Sequence, residues 1–177
     1  MSQLKVNSIV PVGGLPSGSN GGIIQVKQVV KTDTFNTTSS SFVDVTGISV
    51  AITPSSNANK VLVQVSLGMV SSGQGAYAGF RVLRGSTAIG LGTTADGNRV
   101  NVSFVANHRT DSDWQSAGGV FWQYLDSPAT TSETTYKLQV FSGYQNKYIN
   151  INRSDPNDNG TYNQRPSSSI TVMEVTT

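Results

Sequence analysis

From residue 23 onward, apolar side chains recur at every second position in one short run after another. That period marks strands with one buried face. Ile24, Val26 and Val30 alternate with Gln25 and Lys27. Residues 42–52 carry Phe42, Val43, Val45, Ile48, Val50 and Ile52, with Gly47 interrupting the alternation as a bulge would. Val61, Val63, Val65 and Leu67 share one face of the next run, and Phe80 and Val82 alternate with Arg81 and Arg84. Over 99–106, Val100, Val102 and Phe104 are expected inward, Asn101 and Ser103 outward. GGVFWQYLD at 118–126 is apolar on both faces, which suits a central strand or a subunit contact. Tyr136, Leu138 and Val140 alternate with Lys137 and Gln139, and KYININ (147–152) and SSITVMEV (168–175) complete the set.

Between the runs lie stretches of Gly, Pro, Asn, Asp and Ser at 53–60, 71–75, 94–98, 126–132 and 154–161, the residues that turns require. ADGN at 95–98 is a hairpin signal. Nine or ten strands so spaced, with no interval long enough for a helical crossover, predict an all-β antiparallel two-sheet sandwich of jelly-roll type over residues 23–177. If the first strand leaves the attached end and each strand reverses the last, loops 32–41, 73–77, 92–98, 126–134 and 154–166 lie at the far end. Loops 54–59, 107–113 and 143–147 then lie near the attachment. Residues 1–22 differ: LKVNSIV is one short extended segment and PVGGLPSGSNGG a flexible Gly/Ser/Pro linker. They form either a frayed terminus or a docking peptide on a tether.

Composition sharpens this picture. Ser, Thr, Asn and Gly make up 74 of the 177 residues, and charged residues only 12%, about half the usual share. Hydroxyls and amides therefore cover the outer faces and loops, giving a hydrated surface whose contacts depend little on salt. The chain has no Cys and one His, which excludes a disulfide framework, a thiolate nucleophile and multi-histidine metal centres. A net charge of +2, with the basic residues scattered, does not support nucleic-acid binding. No apolar run is long enough to span a membrane, so no membrane insertion is expected.

Four groups of residues have the chemistry to form a site. Asp155, Asn157, Asn159 and Gly160 match the first half of a calcium loop, but Pro166 stands where the bidentate Glu belongs. A turn rich in Asx hydrogen bonds is the better reading. His108, Asp111, Asp113 and Ser112 lie close in sequence without a nucleophile elbow, as in a polar surface loop. Glu133 and Glu174 are the only Glu residues, and no carboxylate pair stands out for glycoside hydrolysis. Tyr77, Trp114, Tyr144, Tyr148 and Tyr162 fall in or near loops, where rings beside Asn, Asp and Arg suit sugar faces. Tyr144, Tyr148, Arg153, Asp155, Asn159 and Tyr162 cluster in the late loops and are the candidate glycan or receptor contacts. Four N-x-S/T sequons, including Asn152, are near chance in so Asn-, Ser- and Thr-rich a chain.

Several long segments resemble tail-fibre and other virion structural proteins of tailed bacteriophages, especially those of cyanobacteria and other aquatic bacteria. They are MSQLKVNSI at the start, 25–66, FRVLRGSTAIG at 80–90, LDSPATTSETTYKLQ at 125–139 and SSSITVMEV at 167–175. The stretches 92–120 and 143–166 fit less well. The resemblance implies a non-enzymatic β module on the exposed surface of the particle, commonly trimeric, without cofactor or metal. Its N-terminal segment, with Leu4, Lys5, Val6, Asn7 and Ile9, would attach to baseplate, tail or neck proteins. Its distal loops would meet host surface polysaccharide as a short tail fibre; a head fibre, decoration or collar protein would use the same module. A homotrimer would also cover open sheet edges and the two-sided VFWQYL strand, making Phe121, Trp122 and Tyr124 candidate subunit contacts. Three tips engaging a repetitive glycan together would gain avidity of about 10²–10⁴.

Overall fold

A computed structural model describes residues 22–73, 76–93, 96–106, 117–143, 147–155, 157–161 and 163–176. Among them lie eleven strands and no helix: β1 (Ile23–Lys31), β2 (Phe35–Thr37), β3 (Val43–Ile52), β4 (Lys60–Ser72), β5 (Ala78–Arg84), β6 (Thr87–Ile89), β7 (Phe104–Ala106), β8 (Ala117–Asp126), β9 (Thr134–Ser142), β10 (Ile149–Ile151) and β11 (Ser168–Val175). They form two antiparallel sheets. In sheet A, β11 pairs with residues 60–66 of β4 and β10 with residues 70–72, so the two fill a single strand position. β1 and β2 fill the next position in the same way. The sheet therefore reads β1/β2, β11/β10, β4, β8, and sheet B reads β3, β9, β5, β6/β7. Four positions facing four in this order is the jelly roll that the strand pattern predicts.

Gly22 and Thr176 bond through their backbones at one end of the sandwich, here the near end. β1 runs from there to the far end, where β4 ends, β5 and β8 begin and β9 ends. Loops 32–41 and 73–77 lie at the far end and loop 54–59 at the near end, as alternation requires. Three of the later loops are reversed: 126–134 is at the near end and 143–147 at the far end, and the chain flanking 107–116 reaches the far end, whereas Asn98 and Asp155 lie at the far end as expected. The cause lies at 92–98, where the expected reversal does not occur: β7 follows β6 in the same direction. Gly85 and Ser86 make a two-residue hairpin (Gly85 φ +57°) that turns β5 back on itself, the signature of a turn with Gly first. β6 and β7 then run in one direction, separated by an excursion over 90–103. Val100 lies on that excursion and is exposed instead of inward, while Ser103 ties it down by donating to the Ile89 carbonyl and accepting from Val82 N. A second excursion, 152–167, separates β10 from β11 and lies against the outer face of β4, where Ser167 and Pro166 touch Gly68.

Val61, Val63, Val65 and Leu67 face Phe80, Val82, Tyr136, Leu138 and Val140 in the core. Gly47 is the bulge expected of it: at φ +82° it carries the register shift of β3, and the stem of the buried Lys31 lies over it. β8 is an edge strand, pairing only with β4 among the described residues. In β1, the alternation places Val26 and Val30 on the outer face, while Val29 and Lys31 turn inward. Cross-strand register sorts the outer face of sheet A into three rows. One is Val26, Met173, Leu62, Leu125; the next is Gln28, Thr171, Gln64, Gln123; the third is Val30, Ser169, Ser66, Phe121. None is charged. The outer face of sheet B is charged by contrast: Lys137 donates to Asp44 at 2.8 Å, and Arg81 to Gln139 at 2.7 Å.

Candidate functional site at the far end

Antiparallel pairing of β10 with the end of β4 brings part of the late-loop cluster together. Gly73 N donates to the Tyr148 carbonyl at 2.9 Å, and the Asp155 carboxylate and Lys147 stem lie beside Gly73. Arg153 comes next to them, its carbonyl accepting from Ser71 Oγ at 2.8 Å, with its Nε buried and without a hydrogen-bond partner. Tyr148 is 54% exposed. Asn159 stands apart on the exposed tip of the second excursion. Tyr144 and Tyr162 lie outside the described residues, as do Trp114, the His108, Asp111 and Asp113 loop, and the anchor residues Leu4, Lys5, Val6, Asn7 and Ile9.

The calcium pattern does not assemble into a cation site. The Asn157 amide oxygen accepts from Arg165, and Asp158 Oδ1 accepts from Gly160 N and from Asn163. These are the contacts of an Asx-rich turn, and no cluster of three acidic, His or Cys ligands occurs among the described residues. Nor do Glu133 and Glu174 form a catalytic pair. Glu174 is buried, its Oε1 accepting from Ser55 N, Ser55 Oγ and Asn59 Nδ2 at 2.6–2.7 Å. Burial pushes this carboxyl up, and the hydrogen bonds from Asn59 and Ser55 more than offset it, so it lies below the usual carboxylate range. Its work is to close the near end over loop 53–59.

Periodicity does not reveal a groove of about 590 Å³ on the outer side of sheet B at the far end. Phe141, Gly79, Val100 and Val105 form its apolar floor, and Asn98, Arg99 and Tyr77 its polar rim. Phe141 lies flush over Gly79 and meets Phe42 with ring centroids 4.6 Å apart; the Arg81 guanidinium sits 4.0 Å above Phe42. Three strands, one excursion and the loop before β5 supply these residues, so no local motif marks them. An apolar floor with few polar groups suits the C–H face and hydroxyls of a sugar ring.

Of the candidate subunit contacts, Phe121 is 61% exposed on the outer face of sheet A and Tyr124 is exposed at its edge. Trp122 turns inward, stacked between Phe104 and Tyr124 at 5.9 and 6.0 Å.

No protein-family profile matches the chain, and no curated protein matches it. Among solved structures it is similar to a chain in the structure of infectious bursal disease virus Gx strain, with 15% identity and a TM-score of 0.43. The alignment covers 94% of this chain, which spans only 43% of the length of that one.

Proposed function

We propose that the chain is a non-enzymatic virion structural protein, a homotrimeric short tail fibre. It attaches to the particle through residues 1–22 and meets neutral host polysaccharide with its far end. The observation that carries this reading is where the phage-like segments fall. Residues 25–66, 80–90, 125–139 and 167–175 hold all or most of strands β1–β6, β9 and β11 and the last two residues of β8. The two stretches that fit less well, 92–120 and 143–166, supply most of both excursions and the far-end loop 143–147, with the short strands β7 and β10 and the start of β8. A frame that resembles phage fibres, carrying excursions that resemble them less, fits an adhesin whose loops make the contacts, and the jelly roll is a fold of both capsid and lectin domains.

The far end offers two adjoining surfaces for sugar: the Phe141 groove, and Tyr148 with Arg153 and Asp155. The purified chain is expected to bind host cells, and to lose that binding after periodate oxidation of surface glycans. Phe141→Ala and Tyr148→Ala should each weaken it about 10-fold or more, the scale of a lost aromatic contact. Release of reducing ends from the polysaccharide would instead identify an enzyme. Antibody labelling of intact particles separates a tail position from a head or collar one.

A further inference from the structure

The outer face of sheet A is the anomaly of this surface. Over its three rows it runs across four strands without a charge, Lys60 standing in the next row at the near end, and four of its apolar side chains, Val26, Val30, Phe121 and Leu125, are 46–61% exposed. The opposite outer face carries the Lys137–Asp44 ion pair and the Arg81 guanidinium, as a solvated sheet does. Monomers rarely leave so broad an uncharged apolar face in water.

We infer that this face is the contact between copies of the chain, turned toward a symmetry axis that runs along the strands. Four strand positions about 4.8 Å apart and the six residues that three rows take up at about 3.3 Å give roughly 380 Å² in plan, before side-chain relief is counted. A standard interface takes about 800 Å² of accessible surface from each partner. Strand direction fits. β1 and β4 run from near end to far, β11 and β8 the reverse. When copies share one polarity, the β8 edge of one meets the β1 edge of the next antiparallel, so the alternation continues across the boundary. The amide row fits the same seam. Gln28 donates to Thr171 at 2.9 Å and Gln64 to Gln123 at 3.4 Å, leaving further amide groups for a neighbour. All near ends then point one way, as joint attachment requires. The inference rests on the trimeric reading only for the number of copies.

Sedimentation velocity of the full chain tests it. The wild type should sediment as an oligomer at about 10 μM, and equally at about 1 M salt, because no charge is involved. Phe121→Lys with Leu125→Lys should give a monomer with an unchanged circular-dichroism spectrum, whereas Ser49→Lys on sheet B should leave the oligomer intact. Hydrogen exchange gives a second reading that needs no variant: the wild-type β8 amides that point away from β4 should lose protection on dilution to monomer. A wild-type monomer, or an oligomer indifferent to the double substitution, would overturn the inference. So would protection that persists at these β8 amides in the monomer, which would mean that the chain's own residues 1–21 cover the edge. A dimer or tetramer abolished by the double substitution would uphold the face and overturn the trimer.

Discussion

Asp126 and Glu174 flank Val61 in one row of sheet A, both turned inward at the near end. Each is a buried acid, and each is satisfied differently. Asp126 accepts from Arg84 Nη1 at 2.8 and 2.9 Å and from the Tyr136 hydroxyl at 2.7 Å, tying the two sheets together. Burial, then the bond to Asp126, pushes the Tyr136 hydroxyl far above its usual range, so it stays a donor at every accessible pH. Asp126→Ala leaves this hydroxyl and the half-buried guanidinium unpaired and should cost about 3 kcal/mol or more in urea unfolding. Tyr136→Phe, which removes one bond, should cost about 1–2 kcal/mol. Glu174 leaves Oε2 without a partner. Because its folded pKa is depressed, its bonds contribute fully above about pH 4.3, the value of an unfolded Glu, and are lost as pH falls through the lower folded value. Glu174→Gln keeps an acceptor in the Oε1 place and should flatten the acid limb of a stability–pH profile. An unchanged limb would assign it to other acids.

At the scale of elements, long strands were legible because a buried face repeats every second residue, as Val61 to Leu67 and Tyr136 to Val140 show. Three-residue strands such as β2 and β6 hold too few positions to show a period. Val100 and Val102 keep the spacing of a strand, yet they lie on an excursion that hydrogen-bonds to itself through Gly92 N and the Val102 carbonyl. The candidate site was half legible: Tyr148, Arg153 and Asp155 are near in sequence, whereas Phe141, Arg99 and Tyr77 meet only through pairing across sheet B. Asn152 shows how an excursion is held. It is buried at φ +59°, its Nδ2 donating to the carbonyls of Lys31 and Asp33 at 3.0 and 3.1 Å, its Oδ1 accepting from Ser168 at 2.6 Å. In the folded chain this sequon is therefore closed to glycosylation. Asn152→Ala should destabilise by about 2–4 kcal/mol, the sum of lost bonds and left-handed backbone strain. Asn152→Gly relieves the strain alone and should recover about 1 kcal/mol of it in the same melt.

Over the whole molecule, β7 follows β6 in the same direction instead of reversing at 92–98, and this moved 126–134 to the near end and 143–147 to the far end against expectation, while Asn98 and Asp155 lie at the far end as expected. Architecture survived the miscount because it depends on which residues face inward, while polarity depends on the number of turns. The result places Gly22 at one end and Tyr148 at the other, with β1 fastened to β11 along eight register positions. On the proposed function, a pull between particle and host would act lengthwise along β1. Ladder bonds run across the strands, so tension loads them in shear, all at once, instead of peeling them one by one. In a force-clamp experiment, pulling from residue 22 against residue 148 should give much longer lifetimes than pulling from residue 22 against residue 176. The fold is a latch that is weak when prised at its near end and strong in the direction a tethered particle would tug.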